Sequence, residues 1–253
     1  MKFAICLYGQ PRNYKLGIKH ITEFMKKNNN HSFDFFLHGW IDKDKMSYSI
    51  NYQPKDPKYL QINDEYEVIN DLLLNYSPKK FKFEKSIKEF DISLIKNSKL
   101  YANSCQGSRN NIHNVLSQLY SRNQVRNVLE EYLSQNKNIE YDMVIMCRYD
   151  IKNSINLIIE NFDKTITYAA GSVFNNKYTI PDNFIIIPTS IFLKWFKLFE
   201  NLVFIMNNED VCKKLNSVDN NLCLVSEALL LANYFYNYDQ LNVKYIDMKS
   251  FIF

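Results

Sequence analysis

Polar residues follow three short apolar runs of the sequence, and their types suit the binding of an anion and of hydroxyl groups. An arginine guanidinium offers phosphate a fork of N–H donors, and a carboxylate can hold a divalent cation. Each group alone is weak evidence, but all three meeting in one crevice would form an anion and hydroxyl site. The candidates are Tyr8, Gly9, Gln10 and Arg12 after the first run, His38 and Trp40 at the second, and Arg148 and Asp150 after the third.

The segment from Gly9 to Arg12 has two open interpretations. It is either a tight turn whose backbone N–H groups approach a phosphate, or an ordinary turn with a solvent-exposed Arg12. No GxGxxG or GxxxxGK[ST] pattern follows the first apolar run. Dinucleotide-binding and P-loop sites therefore have no support.

The Arg148-Tyr149-Asp150 segment is more informative because it directly follows the strongest apolar run. Asp150 could hold a divalent ion on a diphosphate, or Arg148 could replace the charge of a metal. The alternative is an Arg–Asp pair that only satisfies a strand end. We favour the functional interpretation because both position and residue types fit it.

Other candidates carry equally open alternatives. His38 could contact a sugar or base, or be a core histidine, and no second histidine at ligand spacing supports a zinc site. Asp182 and Asn183 precede an apolar run and could bind hydroxyl groups, although such a pair is common in turns. Glu227 could be a general base, or a first-turn charge that balances a helix dipole, which we favour unless the fold places it in the crevice. No GxSxG pattern supports a hydrolase triad.

The apolar runs are short and bounded by turn residues, which is typical of buried strands in a parallel sheet. Helical spacing of apolar residues at 16–27 then predicts a right-handed βαβ unit at the start of the chain. Strands are predicted at 3–7, 33–37, 81–83, 143–147, 165–168 and 184–187, with an edge strand at 243–246. Helices are predicted at 16–27, 65–75, 111–135, from a cap at Thr189 or Ser190 to Val203, and at 226–238.

The helix predicted at 111–135 changes its apolar face midway. Arg122, Asn123 and Arg126 lie where the first apolar face would have continued. Either the helix kinks or changes its packing partner, which we favour from the pattern alone, or it passes beside a polar pocket. Residues 41–63 are polar, contain two prolines and predict a long loop.

Composition excludes several classes of protein. The 253 residues have an apolar fraction of 46%, enough for one large core, so we expect a single domain over 1–253. The net charge is +4, from 31 basic and 27 acidic residues spread along the chain. The sequence therefore lacks the dense basic stripe that is typical of nucleic-acid binding. The 5 scattered cysteines favour a reducing compartment, and no apolar run is long enough for a transmembrane segment. We expect a cytoplasmic protein.

Five segments together resemble a known family. CLYGQPRNY, DFFLHGW, the SQLYS helix, YDMVIMCRYDI and DNFIII, over about 3–199, resemble glycosyltransferase-like proteins of bacterial surface-polysaccharide clusters and of large DNA viruses. The resemblance implies a GT-A-like (Rossmann-like) αβα sandwich with a mostly parallel central sheet. It also implies a nucleotide-diphosphate sugar as donor, with UDP as the expected nucleotide, and a glycan or other hydroxyl acceptor.

The resemblance also implies roles for individual residues. Gly9, Gln10 and Arg12 would lie near the nucleotide, with His38 and Trp40 beside it. Arg148 and Asp150 would take the place of the DxD motif, with Mn²⁺ or Mg²⁺ bound through Asp150. Asp182, Asn183 and Glu227 would approach the sugar or acceptor, with Glu227 or Asp182 as the base. Tyr120 and Ser121 would face the same pocket, which favours the polar-pocket interpretation of their helix.

Two other functions stay open at this point. A degenerate GT-A-like module could bind a glycan or a partner without catalysis, because one carboxylate, Asp150, stands where DxD transferases have two. A nucleotidyltransferase would need a glycine-rich loop after the first strand, and the sequence has none. The donor sugar, the stereochemical course and the oligomeric state are not determined by the sequence.

Overall fold

A mixed α/β architecture surrounds a seven-stranded, mostly parallel sheet in this computed structural model, with strand order β3-β2-β1-β4-β7-β6-β8. The strands are β1 (Lys2–Gly9), β2 (Ser32–Trp40), β3 (Lys80–Glu84), β4 (Met143–Arg148), β6 (Thr167–Ala170), β7 (Phe184–Pro188) and β8 (Val243–Ile246). A separate pair joins β5 (Ser154–Ile155) to β9 (Phe251–Ile252). The structure describes residues 1–42, 64–87, 89–105, 109, 112–151, 154–160, 162–170, 180, 184–218, 224–237, 242–246 and 251–252.

The helices alternate with the strands in the first half of the chain and cluster in the second. They are α1 (Tyr14–Lys27), α2 (Glu65–Tyr76), α3 (Ser93–Lys96), α4 (Lys99–Ala102), α5 (Ile112–Gln135), α6 (Thr189–Trp195), α7 (Leu198–Asn207), α8 (Glu209–Val218) and α9 (Ser226–Tyr236). In the described part of the chain, no helix has the length and apolar character that crossing a membrane requires.

The three strands that carry the predicted site, β1, β2 and β4, are parallel to one another and to β3, so their carboxyl ends lie at one edge of the sheet. β1 lies between β2 and β4, and β3 extends the sheet beyond β2. The predicted βαβ unit is therefore confirmed. β7 runs antiparallel to both β4 and β6, a reversal that its apolar run did not predict.

Two apolar cores lie on opposite faces of the sheet, because successive side chains of a strand point to opposite sides. Ala4 and Cys6 of β1 pack in the core formed with α5 and the helices after β7. Phe3 and Ile5 pack in the core formed with α1 and α2. The predicted three-layer αβα arrangement is confirmed at this level.

The longest helix, α5, is buried on both sides because it lies between the sheet and the later helices. Its two apolar stripes serve these two surroundings, and the helix is continuous over its whole length. Arg122, Asn123 and Arg126 are all buried. A change of packing partner explains the pattern without a kink.

Some local predictions were wrong. The helix expected from Thr189 or Ser190 to Val203 is two helices, α6 and α7, and neither residue caps it with its side chain. The Thr189 hydroxyl instead donates to the carbonyl of Tyr141 at 2.8 Å. Helix α8 was not predicted. Of the predicted loop at 41–63, residues 43–63 lie outside the described residues.

Candidate functional site

Three side chains stand in a row across the carboxyl edge of the sheet. Tyr8 of β1 is in register with His38 of β2 on one side and with Arg148 of β4 on the other. Residues in register on parallel strands point to the same face. That face is the one covered by α5, so the predicted strand ends do converge in one place.

Arg148 and Asp150 form a two-bond ion pair at the end of β4. The Nε of Arg148 donates to Oδ1 of Asp150 at 2.8 Å, and its Nη2 donates to Oδ2 at 2.7 Å. The Asp150 side chain is 8% exposed and the Arg148 side chain 33%. Arg148 is therefore the more exposed member of the pair.

The Arg148–Asp150 turn is positioned by a close approach of α1. A Cβ added to Gly17 of α1 would lie 1.8 Å from the carbonyl oxygen of Tyr149, the residue between the paired side chains. The missing side chain at Gly17 lets the helix backbone pack directly against the turn. Tyr149 is fully buried beneath it.

The turn after β1 places a second guanidinium at the same edge. Gly9 has φ of 97°, a conformation that glycine adopts without steric cost, and the Nε of Arg12 donates to the Gln10 amide oxygen at 2.7 Å. Burial lowers the pKa of Arg12, Asp150 opposes that shift, and Arg148 adds to it. Arg12 therefore lies within electrostatic reach of both members of the ion pair.

A chain of hydrogen bonds fastens this edge to α5. The backbone N–H of Gly9 donates to Oγ of Ser121 at 2.8 Å, and Oγ lies 2.6 Å from Nδ1 of His38. His38 Nε2 lies 2.9 Å from Oε1 of Glu84, whose other oxygen is 2.9 Å from the Lys82 ammonium. Since the Glu84 carboxylate can only accept, a neutral His38 carries its proton on Nε2, and the Ser121 hydroxyl donates to Nδ1.

The electrostatics of this chain agree with a neutral His38. Burial lowers the pKa of His38, although its hydrogen bond to Glu84 acts in the opposite direction. The same hydrogen bond, aided by Lys82, lowers the pKa of Glu84 to about 2. Ser121 and His38 are both completely buried. This series of hydrogen bonds therefore positions the strand ends and does not present a nucleophile.

An aromatic cluster lies next to His38. The rings of Trp40 and Tyr120 stack with centroids 5.2 Å apart, and Phe90 and Phe199 contact Tyr120 edge-on or tilted. Trp40 is almost completely buried, whereas Tyr120 is half-buried. Of this cluster, Tyr120 is the predicted site residue that keeps exposed surface.

A buried arginine brings the start of α9 to the same edge. Arg122 donates from Nη1 to the Ser226 hydroxyl at 2.8 Å and from Nη2 to the Tyr8 hydroxyl at 2.9 Å. Ser226 is the first residue of α9, and the half-buried Glu227 follows it. Glu227 therefore follows a residue that Arg122 links to the row on the sheet.

Of the predicted site residues that the structure describes, those on β1, β2, β4 and α5 and in the turns after β1 and β4 lie along this edge, and Glu227 follows Ser226, which Arg122 links to it. Asp182 and Asn183 lie outside the described residues, so their predicted roles stay predictions. Sequence reasoning missed Glu84 and the link that Arg122 makes. Glu84 directly follows the predicted strand at 81–83, so applying the strand-end rule to that strand as well would have found it.

Metal binding by Asp150 is not favoured by the arrangement of the site. Both carboxylate oxygens are bonded to Arg148, and the described residues contain no group of three or more His, Cys, Asp or Glu placed to hold a metal ion. A divalent ion needs several oxygen ligands. At Asp150 it would first have to displace the guanidinium.

Comparison with known proteins gives structural similarity but no match in sequence. No family model matches the chain, and no curated protein matches its sequence. Among solved structures, the apo form of mouse xyloside xylosyltransferase 1 matches with a TM-score of 0.43 and 8% identity, over 98% of this chain and 84% of that one.

The neutral state of His38 predicts a loss of stability in mild acid. Unfolded, this histidine takes up a proton near its ordinary pKa of 6.5, whereas in the fold its pKa is lower. The free energy of unfolding should therefore fall as the pH drops through 6.5, by up to about 1.4 kcal/mol per pH unit for this one proton. Glu84 adds a further loss between its ordinary value of 4.5 and about 2.

Urea unfolding between pH 7 and pH 5 measures this dependence. The His38→Asn variant keeps an acceptor for Ser121 and removes the titrating group, so its slope over that range should be shallower than that of the wild type. An unchanged slope in the variant would show that His38 is not responsible.

Proposed function

We propose that this chain is a glycosyltransferase with a GT-A-like fold that transfers a sugar from a nucleotide-diphosphate donor, UDP being the expected nucleotide, to a glycan or other hydroxyl acceptor. The observation that carries the proposal is the convergence of Arg12, Arg148 and Asp150 at one carboxyl edge of the sheet, to which Arg122 links Ser226, the neighbour of Glu227. Ligands of open α/β sheets bind at that edge. A group of this kind offers both cations for a leaving diphosphate and a carboxylate for an acceptor.

The proposed step breaks one bond and forms another at the anomeric carbon of the sugar. The acceptor oxygen attacks that carbon, the bond from the carbon to the diphosphate oxygen breaks, and the electron pair leaves with the nucleoside diphosphate. Guanidinium groups at the edge stabilise the negative charge that develops on the leaving group. Glu227 takes the acceptor proton in an inverting course, with Asp182 as the other candidate base.

Binding of the donor has two further contributions in this proposal. The turn at Gly9 and Gln10 lies beside the nucleotide, and Tyr120 offers a half-buried ring against which a base or sugar can pack. His38, Trp40 and Ser121 are buried behind that surface and hold it in place. Asn183 is proposed to contact hydroxyl groups of the sugar or acceptor.

Thermal unfolding with UDP, GDP, dTDP and CMP, each with and without Mn²⁺, tests donor binding. A nucleotide present at 100 times its Kd should stabilise the fold by about 2.7 kcal/mol. Release of the nucleoside diphosphate from the matching sugar donor, with oligosaccharides as acceptors, then tests transfer. The Asp150→Ala variant should lose that release because Arg148 loses its two-bond partner.

Two outcomes would contradict the proposal. Stabilisation by none of the four nucleotides would exclude a simple nucleotide-sugar enzyme. Binding of oligosaccharides without any nucleotide binding or turnover would favour the non-catalytic glycan-binding module instead.

A further inference from the structure

Arg148 is the more exposed member of the Arg148–Asp150 pair. Both oxygens of Asp150 accept hydrogen bonds from Arg148, at 2.8 and 2.7 Å. The carboxylate side chain is 8% exposed, against 33% for its partner. Two-bond pairs of this kind are strong and fix the plane of the guanidinium. Asp150 therefore fixes the orientation of Arg148.

Arg12 adds a second cation at this edge, within electrostatic reach of Asp150. Its guanidinium donates from Nε and Nη2 to the neutral amide oxygen of Gln10, and the described residues include no carboxylate in salt-bridge contact with it. It is half-buried and lies within electrostatic reach of Arg148. The edge thus holds two guanidinium groups beside Asp150.

We infer that Arg12 and Arg148 hold the diphosphate of the donor directly, without a divalent metal ion, and that Asp150 is a positioning residue for Arg148 and not a metal ligand. Because the diphosphate is that of the proposed donor, this inference refines the proposed function and rests on it. The two guanidinium forks match phosphate oxygens in geometry and in charge. They place next to the leaving diphosphate the positive charge that Mn²⁺ or Mg²⁺ would otherwise supply.

Inorganic pyrophosphate is the probe, because its binding reports on the phosphate site and not on the nucleotide. Calorimetric titration of the whole protein measures the affinity for pyrophosphate in EDTA. The titration is then repeated with Mn²⁺ in place of EDTA, at matched concentrations of free pyrophosphate. We expect binding in EDTA that Mn²⁺ does not strengthen. Binding that requires the metal would overturn the inference and leave the proposed glycosyl transfer standing.

Three variants separate the contributions of the side chains. Arg12→Gln should weaken pyrophosphate binding in EDTA by about 10- to 100-fold, the range for loss of a charged hydrogen-bonding partner. Arg12→Lys should restore part of the loss, because it keeps the charge but not the fork. Lys19→Gln, which removes one exposed positive charge from α1, is the matched control and should change binding little.

The positioning role of Asp150 has its own readout. Asp150→Asn keeps one acceptor oxygen for Arg148 and loses the other, so the guanidinium is held less firmly. Pyrophosphate binding should therefore weaken by the same factor in EDTA and in Mn²⁺. A metal ligand would instead show its loss in Mn²⁺ alone, which would contradict the inference. If pyrophosphate binds as expected but no sugar donor is turned over, the phosphate site stands and the proposed function fails.

Discussion

Replacing Glu227 by glutamine is expected to reduce sugar transfer by about 10²- to 10⁴-fold, the usual contribution of a general base, with little change in donor binding. Glu227 follows Ser226, which Arg122 ties to Tyr8 at the carboxyl edge of the sheet. Glutamine keeps the size of the side chain but cannot accept the acceptor proton. Steady-state kinetics with the donor identified by thermal unfolding would measure both quantities.

A matched control separates catalysis from helix electrostatics. Glu209 is likewise in the first turn of its helix, α8, but it pairs with Lys99 away from the site. Each glutamate balances the dipole of its helix, so Glu209→Gln should also show a small loss of stability but keep full activity. Equal activities of the two variants would show that Glu227 is a helix-end charge and not the base.

Replacing Gly17 by alanine is expected to destabilise the fold by about 3 kcal/mol, which is the upper part of the usual range for overpacking. The same substitution should also impair the site. In an ordinary helix interior the same change stabilises by about 1 kcal/mol. Here the added Cβ would lie 1.8 Å from the carbonyl oxygen of Tyr149, and backbone atoms on both sides have to separate. The displaced turn carries Arg148 and Asp150, so donor binding should weaken as well.

Gly39→Ala is the control for this substitution. A Cβ there would meet the ring of Phe83 at 2.9 Å, and a half-buried side chain can move where a backbone carbonyl cannot. Urea unfolding of both variants gives the comparison. If Gly17→Ala is as stable as the wild type, the close approach of α1 does not position the turn.

The sequence determined the elements whose signal is local. Apolar runs ended by polar turn residues correctly predicted β1, β2 and β4, because burial on both faces of a parallel strand leaves a continuous apolar pattern. Since those strands are parallel, the residues after them had to meet at one edge. This is why the site around Arg12, His38 and Arg148 could be predicted without coordinates.

Tertiary structure decided everything that depends on partners distant in the chain. The direction of β7 is invisible in its apolar run, because the same residues are buried whichever way the strand runs. Arg122 looked like an interruption of an apolar stripe, and only the packing of α5 between sheet and helices shows it linking Tyr8 to Ser226.

The same distinction holds for the charges of the site. That Asp150 gives both its oxygens to Arg148 is a matter of side-chain geometry, which composition and spacing do not encode. Spacing determined which groups meet at the edge. The folded packing determined which of them face the crevice, because burial and hydrogen bonding are set by neighbours that the linear sequence does not specify.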